Sequence, residues 1–505
     1  MRWTLVAASL LIAACASSDV GLEALRIEDR SALASYRPSA PGSRLVAVRI
    51  RLLNASLEAI PVDESLLVLE LEGGRSVAGH PSTVAFDEAC AGVVEVGVTV
   101  TCWVGFELPS GTLPTHVTYI YPGHRASAEV RLATDGPPIP VAPPEPLAPT
   151  DQLDLLLVID NSGSLTEEQA SLTFELPGLI ERLASGDIDG DGRTDGPDDV
   201  PGLDLQIGVI STDMGVGGFT VPTCVRPDFG DDGILRTQGR TDIRGCLTEY
   251  PSFVSYHPGD DVEWFAHGVT CVATVGTGGC GFEQPLEAML KSISPSAPTA
   301  AVSAGYRAPV FFRNTSGHGD AENAGFLRAD SVLAVVVMTD EEDCSARDPD
   351  IFNPSSPTYG ATDLNLRCFA HAEAAVHPID RYVDGLLQLR ARARRLVYFP
   401  LAGIPADLEP APGEPPRWDL LVSEDPAQRD PRMQERVDPS NPSRLIPSCN
   451  VPGRGVAFAP VRLVRVAEQL ERRGAQASVG SVCQESFAPA MDQLIQLVAR
   501  AARGG

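Results

Sequence analysis

The sequence predicts an α/β protein in which a doubly wound, mostly parallel sheet follows an all-β sandwich. Short strand patterns occupy residues 20–134 and are separated by Gly, Pro and Ser turns. From residue 151 onward, apolar strands alternate with helical patterns, as in a parallel sheet covered by helices on both faces. The predicted strands are 153–159, 204–211, 331–338 and 396–401, and the predicted helices are 166–184, 282–293, 378–395, 459–473 and 486–502.

The first 15 residues are typical of a secretory signal. Arg2 precedes an apolar stretch at 5–14 that is too short to span a bilayer. The ending "LIAAC" resembles a bacterial lipobox, after which Cys15 would carry lipid; the alternative is a plain signal peptide with a chance cysteine. The residue directly after Cys15 is Ala16 rather than Asp, which in such lipoproteins usually indicates the outer membrane. The expectation is therefore an outer-membrane lipoprotein of a Gram-negative bacterium, facing the periplasm or the cell surface.

Residues 20–134 predict an immunoglobulin-like sandwich. The segment "LVAVRIRLL" (45–53) alternates apolar and polar positions like a strand that is buried on one face. This module carries no recognisable chemistry and could be a spacer or a binding surface. The proline-rich stretch 135–150 predicts a semi-rigid linker, and residues 151–505 predict the α/β domain with disulfide-bonded insertions.

The charge balance excludes some partners. With 67 acidic and 39 basic residues the formal net charge is −28, which disfavours nucleic acid and direct contact with anionic lipid. The expected contact with a membrane is through the lipid anchor alone.

The cysteine count supports export to an oxidising compartment. Of 11 cysteines, ten remain when Cys15 is set aside, and these fall into near neighbours along the chain. None has the spacing of a zinc site. The predicted disulfides are Cys90–Cys102, Cys224–Cys246, Cys271–Cys280, Cys344–Cys368 and Cys449–Cys483.

Acidic and hydroxyl side chains follow two of the predicted strands. The strand that ends at Ile159 is followed by Asp160, Ser162 and Ser164, and the strand "LAVVVM" is followed by Thr339 and Asp340. In an open parallel sheet, ligands bind beyond the carboxyl ends of the strands. Oxygen ligands without His or Cys suit Mg²⁺, Ca²⁺ or Mn²⁺. The alternative is a tight turn in which Ser or Asp caps the following helix.

The motif DxSxS after an apolar strand, with a later strand ending in TD, resembles the von Willebrand factor A domain and its metal-ion-dependent adhesion site. The resemblance covers residues 151–502 in outline and implies that Asp160, Ser162, Ser164 and Asp340 hold a divalent ion, several through water. The ion would keep one position for a carboxylate of a partner. The family also has a Thr just before the helix predicted to begin near Phe282, for which Thr277 and Thr212 are the candidates. The stretches "CGFEQPLEA" and "SVCQESFAPAMDQL" resemble secreted bacterial lipoproteins with this domain.

A second acidic segment, "DIDGDGRTDGPD", predicts a calcium loop. Gly192 occupies the sharp turn at position 6, and Arg193 would offer its backbone carbonyl. The segment resembles dockerin and thrombospondin type-3 loops, and the alternative is a solvated acidic turn. Aspartates occupy positions 1, 3, 5, 9 and 12, namely Asp187, Asp189, Asp191, Asp195 and Asp198.

These patterns support three hypotheses about function. The first is an envelope lipoprotein that binds a protein or surface polymer through a carboxylate bridged by Mg²⁺ (or Mn²⁺), with Ca²⁺ in the loop. The second is a structural lipoprotein stabilised by calcium and disulfides. The third is a metal-dependent hydrolase, although the chain lacks HExxH, GxSxG and GxxxxGK motifs. We therefore expect a binding protein rather than an enzyme.

Overall fold

The computed structural model describes residues 20–29, 38, 43–54, 56, 59–71, 75–81, 83, 86, 89–96, 98–109, 112, 114–121, 124–130, 148–196, 199–303, 305–390, 392–452 and 455–504. The predicted lipidation site Cys15, most of the predicted linker (135–147) and Asp198 lie outside the described residues. The chain divides into two compact units, Met1–Pro143 and Pro144–Gly505.

The first unit is an antiparallel β-sandwich. One sheet has the strand order β1-β2-β7, the other has the order β5-β4-β8-β9, and β3 pairs with β6. Alternate side chains of both sheets, such as Val48 and Leu69, meet in one buried core. Its strands are β1 (Val20–Asp29), β2 (Arg44–Asn54), β3 (Ile60–Pro61), β4 (Leu67–Leu71), β5 (Ser76–Ala78), β6 (Val93–Val94), β7 (Thr99–Leu108), β8 (Pro114–Tyr121) and β9 (His124–Glu129).

The second unit contains a mixed sheet that is mostly parallel. Its strands are β10 (Gln152–Ile159), β11 (Asp204–Ser211), β12 (Phe253–Tyr256), β13 (Val332–Met338), β14 (Leu396–Ala402), β19 (Gln476–Ala477) and β20 (Gly480–Ser481). The order is β12-β11-β10-β13-β14-β19, with β20 also paired to β14, and only β12 runs antiparallel. Two hairpins lie outside this sheet, formed by β15 (Val437–Asp438), β16 (Asn441–Leu445), β17 (Cys449–Val451) and β18 (Gly455–Ala457).

Helices cover both faces of this sheet, so its central strands are buried on both sides. Along β10, Leu155 and Leu157 pack into one core and Leu156 and Val158 into the other, because successive side chains of a strand point to opposite faces. The helices are α1 (Thr166–Ser185), α2 (Val262–Ala273), α3 (Pro285–Ile293), α4 (Arg367–Ala370), α5 (Ala372–Ala375), α6 (Asp380–Gln388), α7 (Trp418–Val422), α8 (Val461–Arg472) and α9 (Ala488–Arg503).

The mixed α/β class and the four long strands agree with the sequence prediction. Two of the predicted helices are shorter than expected: α3 begins at Pro285 rather than at residue 282, and α6 ends at Gln388 rather than at residue 395. The chain after α6 forms a separate short turn at Ala393–Arg395 before it enters β14. The strand β12 and the helix α2 lie between the predicted strand 204–211 and the predicted helix 282–293, in a stretch that was predicted to be an insertion.

Three predicted disulfides are present, and two predicted pairings are wrong. The chain forms Cys90–Cys102, Cys344–Cys368 and Cys449–Cys483. Instead of Cys224–Cys246 and Cys271–Cys280, it forms Cys224–Cys280 and Cys246–Cys271. The reason is α2, which holds Cys271 within a helix. Beyond that helix the chain turns back, and the Gly281 amide donates to the Thr223 carbonyl at 3.2 Å, which brings Cys280 beside Cys224.

Among the helices that the structure describes, none is both long and apolar enough to cross a membrane.

Candidate functional site

The candidate site lies at the carboxyl edge of the large sheet. Ile159 of β10 pairs with Ser211 of β11 on one side and with Met338 of β13 on the other. The residues that follow these strands therefore emerge side by side at one edge. In the sheet, β11 and β12 lie on one side of β10, and the later strands β13 and β14 lie on the other side. The order of the strands therefore reverses at β10, and open α/β sheets bind ligands at such a switch point.

Asp160 is completely buried at this edge, and both of its carboxylate oxygens have a partner. Oδ1 accepts the Ser162 amide at 2.7 Å, and Oδ2 accepts the Thr339 hydroxyl at 2.7 Å. Burial raises the pKa of Asp160, and these hydrogen bonds oppose the rise. The carboxylate is thus held in one orientation by groups from two neighbouring strands.

The other predicted ligands surround Asp160. The hydroxyl oxygens of Ser162 and Ser164 are 3.2 Å apart. Asp340 is 3% exposed, and its Oδ1 is buried without a hydrogen-bond partner in the described part of the chain. Burial and the negative charge of Asp160 raise the pKa of Asp340 to about 7, while the Ser164 side chain opposes the rise. The structure therefore brings Asp160, Ser162, Ser164 and Asp340 together.

The two candidate threonines have different positions. Thr212 directly follows β11, is completely buried, and has a hydroxyl oxygen without a hydrogen-bond partner among the described residues. Thr277 is exposed in the segment that follows α2. Of the two, Thr212 lies at the edge that carries Asp160, and Thr277 has no described contact with it.

Two glutamates that were not predicted as site residues, Glu283 and Glu341, lie close to Asp160 and Asp340. Glu283 precedes α3, at the place where the resemblance implied a Thr, and Glu341 follows Asp340. Burial first, and then the charges of Asp160 and Asp340, raise the pKa of both glutamates well above the usual range. The available signal in the sequence was an acid at the start of the predicted helix, directly after a glycine-rich loop.

Hydrogen bonds fix the backbone around Glu283. The Cys344 amide donates to the Glu283 carbonyl at 2.8 Å, and the Gln284 amide donates to the Thr212 carbonyl at 3.1 Å. The Gln284 side chain also donates to the Gly215 carbonyl at 2.8 Å and accepts the Ala346 amide at 3.1 Å. Glu283 is thus positioned by segments that follow both β11 and β13.

The donor set fits a hard divalent cation. It consists of carboxylate and hydroxyl oxygens, which are the ligands of Mg²⁺, Ca²⁺ and Mn²⁺. The unpartnered oxygens of Asp340 and Thr212 are a second indication, because buried polar atoms normally have a partner. A bound cation would provide that partner.

The predicted calcium loop joins α1 to β11 and is formed only in part. Carboxylate oxygens of Asp187, Asp189 and Asp191 lie within 4.8 Å of one another, and Asp187 accepts the amides of Gly190 and Gly192 at 2.8 Å each. These three aspartates could share one ion.

The side chains at the later positions of the loop have partners within the protein. Asp195 is exposed and pairs with Arg193, whose Nε and Nη2 donate to its two oxygens at 2.8 and 2.5 Å. Asp199, which was not predicted, accepts the Ile188 amide at 2.9 Å and the Gly196 amide at 2.6 Å. Asp199 therefore closes the loop in this structure.

No known protein family and no curated protein matches the chain. Among solved structures, a Bacillus subtilis protein named "putative lipoprotein" is 11% identical with a TM-score of 0.20, covering 22% of this chain and 37% of its own. The secreted protein MPT63 of Mycobacterium tuberculosis is 13% identical with a TM-score of 0.16, covering 21% of this chain and 80% of its own. An uncharacterized β-sandwich protein of Clostridium difficile is 10% identical with a TM-score of 0.16, covering 23% and 87%. This chain thus spans about a third of the first of these proteins, and such low scores carry no argument about function.

The five disulfides indicate an extracellular or envelope protein, because disulfides persist in oxidising compartments and are rare in the cytosol.

Proposed function

We propose that the chain is a lipid-anchored envelope protein that binds a protein or surface polymer through a divalent cation. The second unit would act as a von Willebrand factor A-like domain, and the cation would be Mg²⁺ or Mn²⁺. One observation carries the proposal: Asp160, Ser162, Ser164 and Asp340 converge at the switch point of the sheet, and an oxygen of Asp340 is left without a partner.

Each residue has a distinct part in this proposal. Asp160, Ser162, Ser164 and Asp340 would hold the cation, several of them through water, with the buried hydroxyl of Thr212 as a further ligand. Thr339 keeps the Asp160 carboxylate oriented toward the other ligands. The bound cation would supply a positive centre for a carboxylate of the partner. Nothing in this arrangement requires a group that reacts, so we propose binding rather than catalysis.

The proposed location is the outer membrane of a Gram-negative bacterium, with lipid on Cys15 as the membrane contact. The net charge of −28 supports a location away from nucleic acid and from bare anionic lipid. The β-sandwich would then lie between the anchor and the binding domain along the chain.

Calorimetric titration with Mg²⁺ and then Ca²⁺ tests the proposal, using the soluble chain that begins after Cys15. Two classes of site are expected, one lost in Asp160→Asn and the other in Asp189→Asn. A peptide display library, selected with Mg²⁺ and eluted with chelator, then tests ligand binding. Acidic peptides should be enriched on the wild-type protein and not on Asp160→Asn. Identical enrichment on both proteins would contradict the adhesion role.

The second candidate is a structural calcium protein, and the Asp187–Asp189–Asp191 group favours it. In that case Asp189→Asn and chelator should lower the melting temperature, and Asp160→Asn should change neither metal binding nor peptide enrichment.

A further inference from the structure

The sequence contains a single lysine, and that lysine is buried. Lys291 lies in the last turn of α3, and its side chain has no exposed surface. Other buried ion pairs of the described chain use arginine, such as Arg328 with Asp154 and Arg462 with Asp343. Arginine suits such pairs because its guanidinium stays charged, whereas the amine of a buried lysine can lose its proton and act as a nucleophile. A lysine at this one position therefore indicates a role for the amine itself.

The partner of this amine is Asp232, in the segment after β11. Lys291 Nζ donates to Asp232 Oδ1 at 2.6 Å and to the Thr315 hydroxyl at 3.0 Å. An amine at that distance from a carboxylate oxygen is within one further bond length of the carboxyl carbon. The ring centres of Phe229 and Phe311 lie 5.7 and 5.8 Å from Nζ. Apolar rings therefore border the amine where water would otherwise solvate it.

Asn323 holds the two backbone segments of this pair together. Its side-chain amide donates to the carbonyls of Gly233 and Ser292, at 2.9 Å each. These residues directly follow Asp232 and Lys291, and Asn323 is only 1% exposed. The amine and the carboxylate are therefore held at one distance by a group other than themselves. Reactants held in this way reach effective concentrations of about 10⁵–10⁸ M, which favours a condensation that separate molecules in water do not complete.

His318 lies against the second oxygen of Asp232. Its Nε2 is 3.1 Å from Asp232 Oδ2, and its Nδ1 is 2.5 Å from Glu322 Oε2. Both partners are carboxylates, which accept hydrogen bonds, so both ring nitrogens donate. Burial lowers the pKa of His318, but the hydrogen bonds to Asp232 and Glu322 outweigh it and raise the pKa above its ordinary value of 6.5. A donor therefore faces the oxygen on which negative charge would develop if the carboxyl carbon were attacked.

We propose that Lys291 and Asp232 condense to an amide, which cross-links α3 to the segment after β11. The ammonium passes one proton to Oδ1, and the neutral amine then attacks Cγ and forms the C–N bond. A second amine proton moves to Oδ1, the Cγ–Oδ1 bond breaks, and one water leaves. Oδ2 remains as the amide carbonyl, with His318 as its donor.

This reaction needs no oxidant, reductant or activated group, and it does not depend on the proposed function. A neutral amide replaces two charges whose removal from water is costly. The water that leaves can enter a cavity of about 360 Å³, which Asp232 lines together with Phe229 and Phe311.

Mass spectrometry of the wild-type chain that begins after Cys15, reduced and alkylated, tests the cross-link. The intact protein should be lighter than its sequence requires by the mass of one water molecule. Trypsin does not cleave after a lysine whose amine is bonded, so peptide 194–236 should be joined to peptide 245–307 in one branched species. Recovery of 194–236, 245–291 and 292–307 as three separate peptides would overturn the inference.

The branched peptide distinguishes the cross-link from another loss of water. Asp232 precedes Gly233, and an Asp–Gly pair can close a succinimide ring on its own backbone, which also releases one water. That product leaves the amine of Lys291 free, so trypsin still separates 245–291 from 292–307. A mass deficit of one water with these two peptides separate would therefore count against the cross-link.

Lys291→Arg is the matched control, because it keeps the positive charge and lacks the nucleophilic amine. It should have the full mass of its sequence and release peptide 292–307, and it should melt at a lower temperature than the wild type because the cross-link is lost. A mass deficit equal to that of the wild type would overturn the assignment to Lys291.

His318→Phe removes the donor to Oδ2 and tests the part assigned to His318. Among molecules that circular dichroism shows to be folded, a larger fraction should lack the bond than in the wild type. Complete bonding in this variant would overturn the role of His318. The measurements on the wild-type chain decide the cross-link itself, so the conclusion does not depend on whether a variant folds.

Discussion

Asp160 is completely buried, yet each of its carboxylate oxygens has a donor that belongs to the chain. The donor to Oδ2, the Thr339 hydroxyl, also accepts the Glu341 amide at 3.1 Å. One hydroxyl therefore orients a proposed ligand and the backbone of the acidic segment after β13. At the scale of single residues, Thr339 is the group that links the two sides of the site.

Replacing Thr339 by Val keeps the shape of the side chain and removes both hydrogen bonds. We expect the free energy of unfolding to fall by about 1–3 kcal/mol, because a buried carboxylate and an amide lose their partners. Cation affinity should fall roughly ten- to a hundredfold, as when a group that orients a metal ligand is lost. Chemical denaturation and metal titration measure the two effects. Thr173→Val is the control, since the Thr173 hydroxyl donates only within α1, and an equal effect there would contradict the role of Thr339.

His377 makes the stability of the fold depend on pH, and it is not one of the residues of the proposed metal site. Burial, followed by the charges of nearby arginines, lowers the pKa of His377 from 6.5 to about 4. Glu287 lies 3.8 Å away but is already engaged by Arg381, so it does not reverse the shift. Between these two pKa values the unfolded chain binds a proton that the folded chain does not.

The folded state should therefore lose stability as the pH falls from about 7 toward 4, by up to about 3 kcal/mol from His377 alone. His377→Gln should remove this contribution, so its unfolding free energy should depend less on pH than that of the wild type. Denaturant titrations at pH 5 and pH 8 measure the difference. Equal pH dependence in the two proteins would show that His377 does not contribute.

At the scale of elements, the acidic loop between α1 and β11 shows how a motif and a structure can differ. The carboxylates of the first three aspartates lie close together. Asp195 forms an ion pair with Arg193, and the carboxylate of Asp199 accepts a backbone amide of the loop. The loop therefore depends on its first half for any ion that it binds.

We expect Asp189→Asn to weaken Ca²⁺ binding at least tenfold and to remove the protection by Ca²⁺ against proteolysis in this loop. A carboxylate that converges with two others contributes directly to the coordination of calcium. Asp195→Asn, the matched control, should have a smaller effect because its charge is already offset by Arg193. Mass spectrometry of limited digests with and without Ca²⁺ locates the cleavage. A larger effect of Asp195→Asn would favour the loop as the sequence predicts it.

Much of the large sheet could be predicted because its buried strands are short apolar runs with clear ends. The proximity of Asp160, Ser162, Ser164 and Asp340 could be predicted from the same strand ends. Glu283 could not be predicted with them, because its role depends on a backbone held against Thr212 and Cys344, which lie far away in sequence. The sequence of the helix α2 contains two features that indicate a helix: Asp261 as the N-cap, and the apolar residues Phe265 and Val269 on one face. These features were not recognised because they lie in a stretch that was predicted to be an insertion.

At the scale of the whole molecule, the chain has two units with separate cores, and disulfides occur in both. In the second unit the bridge Cys224–Cys280 encloses the bridge Cys246–Cys271, whose second cysteine lies in the helix α2. Local spacing predicted the three separate bridges correctly and failed for these two nested ones, because the helix α2 and the turn after it separate Cys271 from Cys280.

Digestion with trypsin and Glu-C under non-reducing conditions checks this connectivity. The pairs Cys224–Cys280 and Cys246–Cys271 should join at least three peptides, 194–236, 245–249 and 264–283, into one species or its further cleaved forms. The alternative pairing would link only the first two and leave 264–283 with an internal bridge. Recovery of that internally bridged peptide would contradict the structure.

A cavity of about 280 Å³ is lined by three segments of the second unit, which contribute Phe282, Phe369 and Phe458 among other residues. Each segment contains one end or both ends of a different disulfide, Cys224–Cys280, Cys344–Cys368 or Cys449–Cys483. Newly made chains in a reducing cytosol lack all three bridges. The walls of this cavity are therefore completed only after export and oxidation, whereas the sheet beneath them relies on its own apolar core. On the proposed function, maturation would have an order, because the cations would be bound outside the reducing compartment in which the chain is made.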